Sequence, residues 1–193
     1  KAKGHDARIY SDGKIPLAAL VKEGLRHSPL QTFKDEVLAD ALPALAWIEP
    51  GYGLMNDVLG PNNSHHPAED LRLGDRFIGD VFNSLMAKSD VWQKTLFVLL
   101  YDEHGGFYDH VVPPRTVAPD DEAADVAWTG IDPFTRLGVR VPAILASPWL
   151  HPGLVPWSES IQDQHYDHTS LLAFLCDHFG LPRDKLGERG VQA

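Results

Sequence analysis

The stretch Lys94-Thr95-Leu96-Phe97-Val98-Leu99-Leu100-Tyr101, followed at once by Asp102-Glu103-His104-Gly105-Gly106, decides how this chain is read. A short continuous apolar run bounded by polar residues is expected for a parallel strand covered on both faces. In α/β sheets, ligands bind beyond the carboxyl ends of such strands. Asp102 and Glu103 stand at that position. Two adjacent carboxylates there are costly unless they are solvated, paired or bound to a cation.

The neighbouring segments support a layered α/β chain. Upstream, Glu69 to Lys88 carries Leu71, Phe77, Ile78, Val81, Phe82 and Leu85 at three- and four-residue spacing, which predicts a helix. Pro67 and Asp70 suit its start. Before it, 51–67 is a long polar segment of the kind that often serves function. Leu42 to Glu49 predicts a buried strand ending at Pro50-Gly51, and Phe33 to Ala41 a short helix. Ile9-Tyr10 suits a short strand, and Ile15 to Leu25 fits a helix. Downstream, 112–137 is rich in Pro and Asp, without period, and reads as an excursion loop. Val139 to Ser147 predicts a second buried strand. His168 to Phe179 predicts a helix, with Gly180 as its C-cap and Pro182 as its stop. Helix followed by apolar strand, repeated, indicates an α/β fold. Residues 183–193 read as a polar tail.

Composition narrows the function classes. The chain has 193 residues, 44% of them hydrophobic and 23% charged, enough for one globular core. No apolar run reaches the about 18 residues a membrane helix needs. The formal net charge of −10 is the wrong sign for phosphate-neutralising contacts, so no nucleic-acid partner is expected. A single cysteine, Cys176, excludes an internal disulfide and a multi-cysteine metal site. The first residues, Lys1 to His5, include neither an initiator Met nor a signal-peptide core. They suit a processed product or one piece of a longer protein.

The ten histidines are the anomaly, about twice what ordinary residue usage gives. Six fall in three groups: His65-His66, His104 with His110, and His165 with His168. Asp102, Glu103, His104, Asp109 and His110 crowd into nine residues around Gly105-Gly106. Hard divalent ions such as Mg²⁺ or Ca²⁺ want oxygen ligands, whereas a mixed carboxylate–imidazole set also suits Zn²⁺, Mn²⁺ or iron. Asp109 beside His110 suits a carboxylate that holds an imidazole in one tautomer. His65-His66 fit either exposed loop histidines or groups that bind phosphoryl oxygens and protonate an alkoxide leaving group. His168 fits a site-facing imidazole at a helix start, while Asp167 or Thr169 fits a cap. The acidic cluster Asp120-Asp121-Glu122 with Asp125 reads as solvated surface. Neither a Gly-x-Ser-x-Gly elbow nor a P-loop occurs.

Asp102-Glu103-His104-Gly105-Gly106-Phe107-Tyr108-Asp109-His110-Val111 resembles the DExxGxxDHV motif of the phosphoesterase family. That family includes bacterial phosphatidylcholine-type phospholipases C, plant non-specific phospholipases C and an acid phosphatase branch. Gly138-Val139-Arg140-Val141-Pro142 with Ser147-Pro148-Trp149 resembles its GxRVPxxxxSPW motif, and His65-His66-Pro67 and Asp167-His168-Thr169-Ser170 resemble further family positions. The resemblance covers about residues 40–182. It implies a three-layer α/β/α sandwich of the alkaline-phosphatase type, whose N-terminal part of the sheet is absent from this chain. It implies hydrolysis of phosphate esters, phospholipids among them, through a Thr or Ser nucleophile bound to one divalent metal ion (Ca, Mg, Mn, Zn or Fe). It assigns Asp102 and Glu103 to the metal and lines the phosphate pocket with His65, His66 and His168, beside which His104 is a further candidate for binding substrate. It assigns His66 to protonation of the leaving group, and Asp109 and His110 to support around the site.

The family's ENRSFD-type and TxPNR-type motifs, which supply further ligands and the nucleophile, do not occur here. The resemblance therefore implies the C-terminal portion of one phosphoesterase domain, inactive without the N-terminal half. Bacterial relatives imply secretion or a periplasmic location. Two alternatives stay open: a remnant or binding module that keeps the fold, and a sulfatase-like metallohydrolase, for which Cys176 in a helix is ill placed.

Overall fold

A computed structural model describes residues 6–13, 16–18, 26–52, 62–119, 134–153, 166–187 and 190. The predicted helix over Ile15 to Leu25, His165, the middle of the 51–67 segment and the acidic cluster at 120–125 lie mostly or wholly outside the described residues. The chain divides into two compact units, residues 3–100 with 143–151, and residues 101–142 with 152–193.

The first unit is a mixed helix and sheet body. Strand β1 (Ala7–Ser11) lies between β2 (His27–Pro29) and β3 (Leu45–Glu49), and both pairings are parallel. Parallel neighbours need a crossover, and helix α1 (Leu30–Leu38) lies in the one between β1 and β3. Helix α2 (Leu71–Met86) starts at Asp70, whose carboxylate accepts from the Arg72 N–H and covers an orphan amide of the first turn. A short helix α3 (Ser89–Trp92) leads to β4 (Phe97–Leu100).

The core is built where these surfaces meet. Tyr10, Leu30, Phe33, Val37, Val81, Leu85 and Val91 are buried together, and Phe77, Trp92 and Phe97 pack around them. Phe82 stands edge-on to both Trp92 and Phe97, with ring centroids 5.5 and 5.6 Å apart. Each large aliphatic or aromatic side chain buried in this way is worth about 1.5–3 kcal/mol. The Tyr10 hydroxyl donates to Glu36, which also pairs with Arg8. Burial, with Glu36 next to it, pushes the Tyr10 phenol above its ordinary range.

Strand β4 departs from the sequence expectation. It pairs antiparallel with β5 (Ala143–Ala146), from Phe97 opposite Ala146 to Leu100 opposite Ala143. The run is apolar, as in a doubly covered parallel strand, yet Ile144 and Leu145 of its partner are both exposed. After β5, the Trp149 indole N–H donates to the Gln93 carbonyl at 2.8 Å and ties the Ser147-Pro148-Trp149 turn to the end of α3.

In the second unit, helix α4 (His168–Phe179) has the bounds the caps predict. Asp167 accepts from the amides of Thr169 and Ser170, and the Ser170 hydroxyl accepts from the Asp167 N–H, closing a capping box. At the other end Gly180 is left-handed (φ 60°), and the Leu181 N–H donates to the Cys176 carbonyl at 2.7 Å. A 3₁₀ turn, Arg183–Lys185, replaces the start of the expected tail, and Arg183 pairs with Asp177. No helix among the described residues is long and apolar enough to cross a membrane.

Candidate functional site

The carboxylates Asp102 and Glu103 follow Tyr101, which succeeds β4 and belongs to the second unit. Both are exposed. Asp102 Oδ1 accepts from the Glu103 N–H at 2.9 Å, and Glu103 Oε2 accepts from the Gly105 N–H at 2.5 Å. These contacts curl the loop and leave each carboxylate an oxygen for another partner. Gly105 and Gly106 are both left-handed (φ 67° and 76°), a conformation that side chains with a Cβ adopt at a cost. The His104 Nδ1 lies 3.8 Å from Glu103 Oε2.

The far end of the loop is held by an ion pair. Arg140 Nε donates to Asp109 Oδ2 at 2.8 Å and Arg140 Nη2 to Asp109 Oδ1 at 2.9 Å. The Val111 N–H donates to the same Oδ1 at 3.1 Å. The Arg140 guanidinium holds the Asp109 carboxyl well below the usual carboxylate range. His110 Nδ1 is 3.6 Å from this carboxylate and its side chain is exposed. Both long motifs of the sequence thus meet in one bidentate contact. Arg140 had no expected role from the sequence. The available signal was an arginine set between two valines, Val139 and Val141.

His168 also reaches this loop. Its Nε2 lies 2.8 Å from the Tyr101 carbonyl, which can only accept, so Nε2 carries the hydrogen. The first residue of α4 is therefore tied to the backbone immediately before Asp102.

His65 and His66 belong to the first unit. His65 Nε2 faces two acceptors, the Leu71 carbonyl at 3.2 Å and the Asp75 carboxylate at 3.3 Å, and the ring lies flush on Gly74 of α2. His66 is exposed, and its Nδ1 lies 3.1 Å from the Pro67 carbonyl. The Glu69 N–H donates to the His66 carbonyl at 3.1 Å, closing a turn with Pro67 and Ala68 at its centre. Ala68 has φ 76°, a position where turns of this kind favour glycine.

The first unit holds a second carboxylate that sequence reasoning passed over. Glu49, 5% exposed at the end of β3, accepts from the Leu17 N–H at 2.7 Å, the Ala18 N–H at 3.0 Å and the Trp47 indole at 2.8 Å. Burial of the charge is compensated by these three donors.

The donor set at 102–103 fits a hard divalent cation in kind but not in number. Two carboxylates with free oxygens are suitable ligands, yet such ions take about six or more oxygens. Among the described residues, no three His, Cys, Asp or Glu side chains converge on one point.

Comparison with known proteins is consistent with these motifs. The chain is 37% identical over 164 residues to non-specific phospholipase C6 of Arabidopsis thaliana, covering 83% of this chain and 31% of the relative. It is 32% identical over 182 residues to phospholipase C B of Mycobacterium tuberculosis, covering 90% and 32%. It is 32% identical over 182 residues to the non-hemolytic phospholipase C of Pseudomonas aeruginosa, covering 86% and 24%. The chain thus spans about a third or less of the length of these relatives. The model of the phosphoesterase family matches residues 9–182, beginning inside β1 and so reaching upstream of the about 40–182 that the motifs suggest. With that match across most of its length, this chain belongs to the phosphoesterase family.

Proposed function

We propose that this chain is the C-terminal portion of a metal-dependent phosphate-ester hydrolase of the phospholipase C or acid phosphatase type, built on a three-layer α/β/α sandwich. The observation that carries the reading is the Asp102–Glu103 pair. It sits at the exit of β4 on a loop fixed by the Asp109–Arg140 contact and by His168 on the Tyr101 carbonyl. The relatives named as phospholipases C are about three times as long or longer, which supports a nucleophile and further ligands supplied by polypeptide outside residues 1–193.

In this reading Asp102 and Glu103 hold one divalent ion, of the Ca, Mg, Mn, Zn or Fe set. Such an ion lowers the pKa of a bound hydroxyl and offsets charge on a phosphoryl oxygen. Asp102 and Glu103 contribute the negative charge that draws the ion in. His168 fixes the backbone ahead of them. His65, His104 and His168 are the proposed phosphate-binding imidazoles, and His110 is a supporting group beside Asp109. His66 is the proposed proton donor. With Nδ1–H directed to the Pro67 carbonyl, Nε2 is the atom that exchanges a proton with a leaving alkoxide.

The test is Asp102→Ala and Glu103→Ala in the full-length protein, assayed against nitrophenyl phosphate, a nitrophenyl phosphodiester and phosphatidylcholine vesicles. Loss of both metal content and turnover supports the reading, and retention of both refutes it. The order of wild-type kcat/KM among the three substrates separates lipid from monoester hydrolysis. The isolated 193-residue chain is expected to show no turnover, and robust metal-dependent hydrolysis by it would refute the division of the site.

A further inference from the structure

We propose that Arg140 is a positioning residue for the carboxylate pair, acting through Asp109 to hold Asp102 and Glu103 in a metal-ready loop. The inference rests on the reading of Asp102 and Glu103 as metal ligands.

The loop 102–108 is bracketed by two ties to one short segment. At its start the Tyr101 N–H donates to the Pro142 carbonyl at 3.4 Å. At its end Asp109 takes both its side-chain ion-pair bonds from Arg140, two residues before Pro142. Between the ties stand the two carboxylates and the glycine pair. Glycine loses more conformational freedom on ordering than any other residue, so a loop with two of them costs more to order and gains from being fastened at both ends. At Tyr101 the backbone tie is long and His168 Nε2 adds a 2.8 Å contact to the carbonyl, whereas at the Asp109 end the guanidinium contact is short and bidentate. The Asp109 side chain is 12% exposed, so water competes poorly for it. Lysine carries the charge but not the fork. The contact spans 31 residues of sequence and touches neither carboxylate of the pair, so its effect on them passes through the backbone of 102–108.

Ligands that arrive already ordered bind an ion more tightly, because the ordering cost is met during folding. Removing a group that supports metal ligands from behind lowers metal affinity by about 10–100-fold. Loss of a residue that merely adds stability would lower the melting temperature and leave affinity in the folded protein unchanged.

The experiment has a metal-free arm and a metal arm. Hydrogen exchange of the 193-residue chain is compared for the wild type, Arg140→Lys and Arg140→Ala. Peptides covering 101–111 should exchange about tenfold faster in Arg140→Ala and by an intermediate factor in Arg140→Lys, while peptides from α1 and α2 keep their protection. In the full-length protein, titration with Mn²⁺ alone should give an affinity lower by about 10–100-fold in Arg140→Ala. If Arg140→Ala does not fold, Asp109→Asn, which keeps the shape and removes the charge, replaces it in both arms. Unchanged exchange at 101–111, or unchanged Mn²⁺ affinity in a variant whose loop has loosened, overturns the proposal. Full Mn²⁺ affinity in Asp102→Ala refutes the metal reading instead, and the exchange arm then still decides whether Arg140 orders the loop.

Discussion

Gly74→Ala tests the packing of the His65 segment. Glycine inside a helix costs about 1 kcal/mol against alanine, so Gly74 in the middle of a turn of α2 calls for a reason. The reason is the His65 ring. A β-carbon built on Gly74 would stand 2.1 Å from His65 Cδ2, 2.4 Å from Nε2 and 3.1 Å from Cγ. The first two are far inside van der Waals contact, so the ring must leave and give up its Leu71 and Asp75 partners. Overpacking of this kind costs about 1–3 kcal/mol. Set against the helix-propensity gain of about 1 kcal/mol, the net effect is a destabilisation of about 0–2 kcal/mol. The sign should reverse once the ring is removed. In a His65→Ala background, Gly74→Ala should stabilise by about 1 kcal/mol, because only the propensity term remains. The assay is urea unfolding of the four members of this cycle at one temperature. Equal effects of Gly74→Ala in both backgrounds would refute the argument, since the ring would then not be what the glycine accommodates.

Four further outcomes are expected. Ala68→Gly should stabilise the chain by about 1 kcal/mol in the same unfolding assay, because φ 76° at that turn position strains any residue with a Cβ. Asp167→Ala should cost about 1–2 kcal/mol, since it removes the acceptor for two first-turn amides of α4, and Asp167→Ser should recover most of it. The Asp109 carboxyl is held below its unfolded value, so its contribution is complete above about pH 4 and is lost only as pH falls through the lower folded value. Exchange protection of 101–111 should therefore persist at pH 3 in the wild type, and its loss between pH 5 and 4 would contradict the ion pair. Finally, His66→Ala should slow hydrolysis of alkyl esters more than nitrophenyl esters in the full-length protein, and equal losses would remove His66 from proton transfer.

The elements most legible in the sequence are those whose ends are marked by local chemistry. Helix α4 is recovered with its bounds because Asp167 and Gly180 each act within four residues of the helix end. Helix α2 is recovered from its apolar spacing, although Leu71, counted in that spacing, is exposed at the first position of the helix. The direction of β4 was not legible. An apolar run reports burial and not the polarity of its neighbour, and that neighbour lies more than forty residues on, past the excursion loop. The candidate site divides the same way. Asp102 and Glu103 stand out by position alone. The bond that holds their loop does not, because Asp109 has a histidine beside it in sequence and its bidentate partner on a distant motif. His65 shows the same limit, since the glycine its ring covers lies nine residues on, in a helix that reads as ordinary.

The strand order β2-β1-β3 sets a boundary on where this polypeptide can be trimmed. The middle strand of the sheet, Ala7–Ser11, is the first among the described residues, and both neighbours hydrogen-bond to it rather than to each other. A version shortened past Ser11 would not simply lose an edge. It would leave two short strands facing an empty slot, each with a bare ladder of N–H and C=O groups, which is the geometry that recruits foreign strands and leads to aggregation. Tyr10, the large aromatic that roofs α1, would go with it. Solubility of an expressed segment should therefore turn on a handful of residues near its beginning that touch none of the carboxylates or imidazoles at issue.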